Sequence, residues 1–177
     1  MRAIAKIDTN TNEVVDRIST GNVPTGVRVA PSGDYLITSN RTTDSVTITN
    51  LPDASSTQIP VGANPGRVRF SPDGTLAVTA NKGDDTISLI DTKAKEELAR
   101  IRVGKAPRAA EFTPDGSAIL VANHADGSIS VVDVAEQGVT QTIPVGPTPL
   151  GLLVTDSQAY ISHEDTGEIT VLKRTKA

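Results

Sequence analysis

Three charged residues of the sequence could bind an anionic group or pair with one another. Arg28, Arg69 and Glu111 each lie four positions after a proline, and they follow one another at nearly equal intervals along the chain. A guanidinium group can pair with a carboxylate, whereas unpaired guanidinium groups favour a carboxylate or phosphate ligand. Both alternatives stay open at this stage. The basic residues that could extend the set into a basic rim are Arg41, Arg67, Lys82 and Arg108.

The two histidines of the chain are the other candidates for chemistry. His163 is followed directly by Glu164 and Asp165, and His124 lies well before them in the sequence. Imidazole and carboxylate groups can hold a divalent metal, and a histidine can also ligate haem or act as a general base. The spacing matches no established ligand motif. A metal site at these four residues is therefore one hypothesis, and ordinary surface histidines are the simpler one.

Three asparagines occupy corresponding places in the chain, and His163 takes the fourth. Asn40, Asn81 and Asn123 recur at nearly the same interval as the three charged residues. Asparagine at the start of a loop most often bonds to its own loop, so a structural role is favoured. Ligand binding by these side chains is the alternative.

Composition argues against several classes of protein. The chain has 17 Lys and Arg against 21 Asp and Glu, and only 2% aromatic residues. A nucleic-acid-binding protein needs a basic footprint and stacking groups, so no nucleic-acid partner is expected. No apolar run approaches the roughly 20 residues of a membrane helix, so no membrane insertion is expected. Cysteine is absent, the common catalytic and phosphate-binding motifs do not occur, and no cofactor is expected.

The candidate residues must be positioned by a repeated structural unit, because the sequence pattern has the same period along the whole chain. A glycine followed three positions later by a proline occurs four times, with almost constant spacing between the copies. The four copies begin at Gly21, Gly62, Gly104 and Gly146. A second marker keeps the same period and is made of Asp8, Asn50, Asp91 and Asp133. Periods of this length indicate a repeat architecture.

Each repeat contains four short β-type runs that are separated by turn residues. Four strands in a repeat of about 40 residues are typical of a propeller blade. We therefore predict an all-β propeller of about four four-stranded antiparallel blades, in one domain that spans residues 1–177. Its units lie near residues 1–21, 22–62, 63–104, 105–146 and 147–177. The first strand after each glycine and proline is expected to be innermost, so that Arg28, Arg69 and Glu111 face the channel.

The repeat resembles a known family. Residues 129–133 (Ile-Ser-Val-Val-Asp), 143–146 (Ile-Pro-Val-Gly), 71–74 (Ser-Pro-Asp-Gly) and 121–123 (Val-Ala-Asn) are similar to the YVTN-type β-propeller repeat. Relatives with similar blades include surface-layer proteins, quinone-cofactor dehydrogenases, lactonases and haem-binding propellers. The resemblance covers almost the whole chain and implies the propeller fold. It also implies an extracytoplasmic location, at the cell surface, in the periplasm or secreted.

The strand count leaves the ring incomplete. The repeats predict 17 strands, which is one more than four blades contain. Four blades are also few for a closed ring of sheets with this twist. An open arc would expose aliphatic residues. We therefore expect a piece of a larger propeller, with a homodimer that closes the ring as the competing hypothesis.

Two functions from different classes remain. The absence of a catalytic motif favours a non-enzymatic module that binds a protein, glycan or surface component through its loop faces. The alternative is an enzyme or cofactor carrier of the quinone, haem or lactonase type, with its site at the central channel. Fold alone does not separate them.

Overall fold

The computed structural model describes residues 3–174, which form 17 β-strands. The strands are β1 (Ala3–Ile7), β2 (Val14–Ser19), β3 (Pro24–Val29), β4 (Tyr35–Asn40), β5 (Ser45–Asn50), β6 (Ser56–Pro60), β7 (Pro65–Phe70), β8 (Leu76–Asn81), β9 (Thr86–Asp91), β10 (Glu96–Arg102), β11 (Pro107–Phe112), β12 (Ala118–Asn123), β13 (Ser128–Asp133), β14 (Gly138–Pro144), β15 (Pro149–Val154), β16 (Gln158–His163) and β17 (Ile169–Lys173).

The strands form five antiparallel sheets, and each strand pairs with its neighbours in sequence. Strands β3–β6, β7–β10 and β11–β14 make three complete sheets, which we call blades 1, 2 and 3. Strands β15–β17 make a three-stranded blade 4, and β1 and β2 form a separate hairpin. The predicted all-β architecture of propeller blades is confirmed. Residues 92–100, whose composition is briefly helix-like and predicts a turn into the fourth strand, form a turn only over 92–95, and the rest already belongs to β10.

The first strand of each blade is its innermost strand. Strands β3, β7, β11 and β15 pack against one another in that order, so they line the axis of the arc. The last strands of the complete blades, β6, β10 and β14, make few contacts with each other because the blades diverge outward. Residues on β3, β7 and β11 are therefore the ones nearest to the axis.

Aliphatic residues of adjacent blades form the core. Ile87 pairs with Ile101, and Ile129 with Ile143, at corresponding places in blades 2 and 3. One cluster joins residues of blade 2, such as Leu89, to residues of blade 3 such as Phe112 and Ile119. Each blade thus buries its apolar face against the next blade, which is why a single four-stranded sheet would not be stable alone.

The contact between blades 3 and 4 is less completely filled than the contacts before it. Tyr35 of blade 1 meets Phe70 of blade 2 edge to face, with ring centroids 5.6 Å apart. At the contact between blades 3 and 4, the residues equivalent to Tyr35 and Phe70 are Ala118 and Val154, and their side chains are smaller. They line a groove of about 340 Å³ between the two blades.

Apolar side chains remain exposed at both ends of the arc. Leu153 and Ile169 of blade 4 are 60% and 67% exposed, and Val15 of the N-terminal hairpin is 55% exposed. The residue of blade 3 that corresponds to Ile169 is Ile129, and it is completely buried in a cluster with Ala159 and Ile161 of blade 4. Within residues 3–174, no helix is long and apolar enough to cross a membrane.

Candidate functional site

The axial strands bring two of the three charged residues into contact. Arg69 on β7 donates a hydrogen bond from Nε to Oε1 of Glu111 on β11, and both side chains are 21% exposed. Arg28 on β3 is exposed and donates only to its neighbouring carbonyl, Val27 O, at 2.9 Å. The sequence leaves open whether these arginines pair with a carboxylate or bind an anionic ligand, and Arg69 pairs with the carboxylate of Glu111. Arg28 has no carboxylate partner among the described residues.

Burial and neighbouring charges shift the pKa values of Glu111 and Arg28. Partial burial raises the pKa of Glu111, although Arg69, Arg28 and Arg67 oppose the shift by favouring the carboxylate. Partial burial also lowers the pKa of Arg28, and repulsion by Arg69 adds to the effect. The axis of the arc therefore carries more positive charge than its one carboxylate compensates.

Further cations line a small cavity at the loop end of the same strands. The cavity has a volume of about 190 Å³ and lies beside the loops that enter β7 and β11. Its basic lining residues are Arg41, Arg67, Lys82 and Arg108. None of the four forms a salt bridge within the described part of the chain. We call this space the basic cavity.

A second cavity continues from the basic cavity along the axis. Arg67 lines both spaces, and Arg28 and Arg69 line the second one, which has a volume of about 460 Å³. Arg67 and Arg69 are two positions apart on β7, and both line this second cavity. The basic rim that the sequence suggests is therefore a continuous feature of the axis.

One residue in each blade occupies an equivalent position at the loop end, and we call these four the rim residues. Each directly follows the last residue of the second strand, and its backbone N–H donates to a carbonyl of the loop before the first strand. The four bonds are Arg41 to Val23 (3.1 Å), Lys82 to Asn64 (3.2 Å), His124 to Ala106 (3.3 Å) and Glu164 to Thr148 (3.0 Å). The backbone thus holds four different side chains in equivalent places.

The carbonyl partners of the rim residues have an uncommon backbone conformation. Val23, Asn64, Ala106 and Thr148 all have positive φ, between 49° and 56°. Positive φ is unfavourable for a β-branched residue such as Val23 or Thr148, and such strain persists only where neighbouring contacts enforce it. Each strained residue precedes the proline that begins the axial strand. The loops that accept the hydrogen bonds of the rim residues therefore share one strained backbone conformation in all four blades.

The predicted asparagines are buried and have structural partners. Asn123 is completely buried, and its Nδ2 donates to Ser128 Oγ at 3.1 Å and to Ser130 Oγ at 2.8 Å. Asn40 and Asn81 make the equivalent pairs of bonds in blades 1 and 2. This geometry favours the structural alternative over ligand binding for Asn40, Asn81 and Asn123.

His163 takes the place of the asparagine in blade 4. It is 5% exposed, its Nδ1 lies 2.6 Å from Pro147 O, and its Nε2 lies 2.9 Å from Thr170 Oγ1. A carbonyl can only accept, so Nδ1 carries the proton. Both ring nitrogens are therefore used inside the blade, and His163 is not a surface histidine.

His124 and Glu164 instead meet on the surface between blades 3 and 4. His124 Nε2 lies 3.0 Å from Glu164 Oε2, and the histidine side chain is 19% exposed. Asp165 is exposed, and its backbone N–H donates to Thr148 Oγ1 at 3.2 Å. Among residues 3–174, no group of three or more His, Cys, Asp or Glu side chains is arranged to hold a metal ion. The metal hypothesis gains no support from the positions of its four residues.

Sequence reasoning misses the equivalence of the rim residues. Arg41, Lys82, His124 and Glu164 are each the residue after Asn40, Asn81, Asn123 and His163. Aligning the repeats one position further along would have found them. The cation-lined axis and the regular blades together define a β-propeller protein. Its candidate binding site lies at the loop end of the inner strands, which we call the axial face.

A known protein family matches the sequence over most of its length. The family described as "Lactonase, 7-bladed beta-propeller" matches residues 2–90 and, in an overlapping match, residues 53–150. The chain belongs to this lactonase family of seven-bladed β-propellers. The propeller implied by the sequence resemblance is thus confirmed, whereas its YVTN-type assignment stays a prediction.

Two solved structures show the same fold over 98% of this chain. Hydrazine synthase from Kuenenia stuttgartiensis superposes with a TM-score of 0.88 at 22% sequence identity. A putative 6-phosphogluconolactonase from Bacteroides uniformis superposes with a TM-score of 0.81 at 14% identity. This chain covers 57% and 61% of those two chains, so it spans about three fifths of their length. No curated protein matches the chain in sequence.

Proposed function

We propose that this protein is a lactonase-type propeller that binds an anionic sugar lactone at its axial face and hydrolyses the ring ester. The observation that carries the proposal is the basic cavity, which lies at the axial end of a fold from the lactonase family. Family membership supports the enzymatic alternative better than a non-enzymatic module that recognises a protein or glycan. The proposal therefore places the ligand at the axis instead of on the outer strands.

The charge of the basic cavity selects the ligand class. Four cations line a space of about 190 Å³, and the described residues supply no carboxylate to them. Mutual repulsion of these cations is relieved when an anion binds, and arginine groups bind phosphate or carboxylate oxygens with several parallel hydrogen bonds. The overall charge of the chain is −4, so this cluster is a local feature.

The chemistry of the ligand follows from combining the cavity with the family. A solved neighbour is titled a putative 6-phosphogluconolactonase, and its substrate class has both a phosphate and a lactone ring. For this chain we propose a phosphorylated or carboxylated sugar lactone, held by its anionic group in the basic cavity. Arginine side chains near the axis are also suited to stabilise the negative charge that develops on the carbonyl oxygen during hydrolysis.

The test compares a charged and an uncharged lactone. The protein should accelerate hydrolysis of 6-phosphogluconolactone above its spontaneous rate, and hydrolysis of gluconolactone much less. Arg67→Ala should lower kcat/KM for the phosphorylated substrate about 10- to 150-fold, the effect of losing a hydrogen bond to a charged group. Arg102→Ala is the matched control, because that arginine is 80% exposed on an outer strand.

Three results would contradict the proposal. Hydrolysis of neither lactone would exclude lactonase activity on these substrates, and phosphate binding without turnover would favour the non-enzymatic module. Equal losses in Arg67→Ala and Arg102→Ala would mean that the basic cavity does not bind the substrate.

We also propose that further blades complete the arc in the working protein. The exposed residues Leu153 and Ile169 at one end and Val15 at the other support this proposal. The blades could come from a larger propeller or from a second copy of the chain, and an extracytoplasmic location remains part of the same proposal. The mass of the protein in solution, measured by light scattering, distinguishes a two-chain ring from a single chain.

A further inference from the structure

The rim residues divide into two kinds along the axial face. Arg41 and Lys82, on blades 1 and 2, line the basic cavity. His124 and Glu164, on blades 3 and 4, contact each other at 3.0 Å. The same backbone position therefore supplies cations on one side of the face and a pair formed by an imidazole and a carboxylate on the other side.

The contact with Glu164 sets the proton position on His124. A carboxylate accepts a hydrogen bond, so Nε2 of His124 carries the proton in the neutral ring. The other nitrogen, Nδ1, is then the unprotonated one and can accept a proton. A carboxylate that holds a histidine in this way also stabilises the imidazolium that forms when the proton is taken.

A further cavity lies beside His124 and shares no lining residue with the basic cavity. It has a volume of about 620 Å³ and is lined by His124, Gly146 and Thr148, among others. Leu150, two positions beyond Thr148, lines the basic cavity. His124 is likewise bonded through its backbone N–H to Ala106, close to Arg108 of the basic cavity. His124 and the basic cavity therefore lie at the same loop end of the inner strands.

We propose that His124 is the general base of this site and that Glu164 is its positioning residue. The assignment rests on the lactonase function proposed above. His124 Nδ1 takes a proton from a water molecule while the water oxygen forms a bond to the lactone carbonyl carbon. The bond from that carbon to the ring oxygen then breaks, and the imidazolium returns its proton to the departing oxygen. The products are balanced as one hydroxy acid from one lactone and one water.

Residues around the pair do not compete for its roles. Asp126 lines the same cavity, but its Oδ2 accepts the backbone N–H of Lys105 at 2.6 Å. His163, the other histidine, has both ring nitrogens bonded within blade 4. Of the two histidines, only His124 has a carboxylate partner and lines a cavity on the axial face.

The experiment measures lactone turnover in variants of the pair. His124→Ala should lower kcat about 100-fold or more, the usual contribution of a general base, and change KM less than about threefold. Added imidazole should restore part of the kcat of this variant, an effect that loss of a merely structural side chain would not show. Glu164→Gln should lower kcat with a similar KM, and Glu164→Asp should recover part of the loss. Glu136→Gln, at an exposed turn of blade 3, is the matched control.

The outcomes separate this assignment from the proposed function. Full activity of His124→Ala, or a loss that imidazole does not reverse, overturns the assignment and leaves the lactonase function intact. Absence of lactone turnover in the unmodified protein overturns both proposals. His124→Gln, which keeps a polar side chain of similar size, serves as the second variant if His124→Ala does not fold.

Discussion

Replacement of Gly104 by alanine is expected to disrupt the bonds that Asn123 makes inside blade 3. A Cβ added at Gly104 would lie 2.6 Å from both Cγ and Nδ2 of Asn123, and 2.8 Å from its Cβ. Asn123 cannot move aside freely, because it is completely buried and donates to Ser128 and Ser130. The variant must therefore displace the asparagine or shift the loop.

The expected cost follows from these contacts. Forcing an extra methyl group into a packed site costs about 1–3 kcal/mol. Displacing Asn123 also weakens two buried hydrogen bonds, each of which contributes about 0.5–1.5 kcal/mol. Gly104→Ala should therefore lower the free energy of unfolding by about 2–6 kcal/mol.

Urea unfolding followed by circular dichroism measures this change. Gly138→Ala is the control, because the nearest atom to its added Cβ is 3.7 Å away, and its effect should stay within about 1 kcal/mol. In a background of Asn123→Gly, which removes the whole clashing side chain, Gly104→Ala should cost much less. A loss below about 1 kcal/mol, or an equal loss in both backgrounds, would refute this explanation of the repeated glycine.

Three further predictions concern packing, titration and the buried histidine. Val154→Phe should fill part of the groove between blades 3 and 4, as Phe112 does one blade earlier, and raise stability by about 0.5–2 kcal/mol, measured as a higher Tm. Burial raises the pKa of Glu111 above its ordinary value of 4.5, so the folded protein binds this proton more tightly than the unfolded chain. The free energy of unfolding should therefore fall as pH rises from that value through the native pKa, and Glu111→Gln should lack this part of the fall in urea titrations at several pH values. His163→Ala leaves Pro147 O without its donor inside blade 4 and should cost about 1–3 kcal/mol in urea unfolding.

Each of these predictions has a result that contradicts it. A lower Tm for Val154→Phe would show that the groove does not accept an aromatic ring. A pH profile that Glu111→Gln leaves unchanged would mean that this carboxyl does not titrate differently in the folded state. An unchanged stability of His163→Ala would exclude the structural role of its two bonds.

The sequence predicts the strands well because their signals are local. Alternating apolar residues and turns such as residues 72–75 fix where each strand begins and ends, and the regular period aligns the blades. The pairing of Arg69 with Glu111 is one of the two alternatives that the sequence leaves open, because equivalent positions on neighbouring inner strands lie side by side.

The contacts between loops are not predictable in the same way. The distance from His124 to Glu164 depends on the angle between blades 3 and 4, which no local pattern encodes. The positive φ of Thr148 is equally unpredictable, since a β-branched residue rarely adopts it. The turn residues around His163 suggest an exposed loop, but the repeat alignment puts this histidine where Asn123 is buried in blade 3.

The backbone bonds of the rim residues have a consequence for how specificity could diversify. Each bond joins a main-chain N–H to a main-chain carbonyl and uses no side-chain atom. Exchange of Arg41 or Lys82 for another residue would thus alter the electrostatic character of the face while the supporting loop kept its path. Single substitutions at these positions can therefore change the charge of the face at little expense in folding.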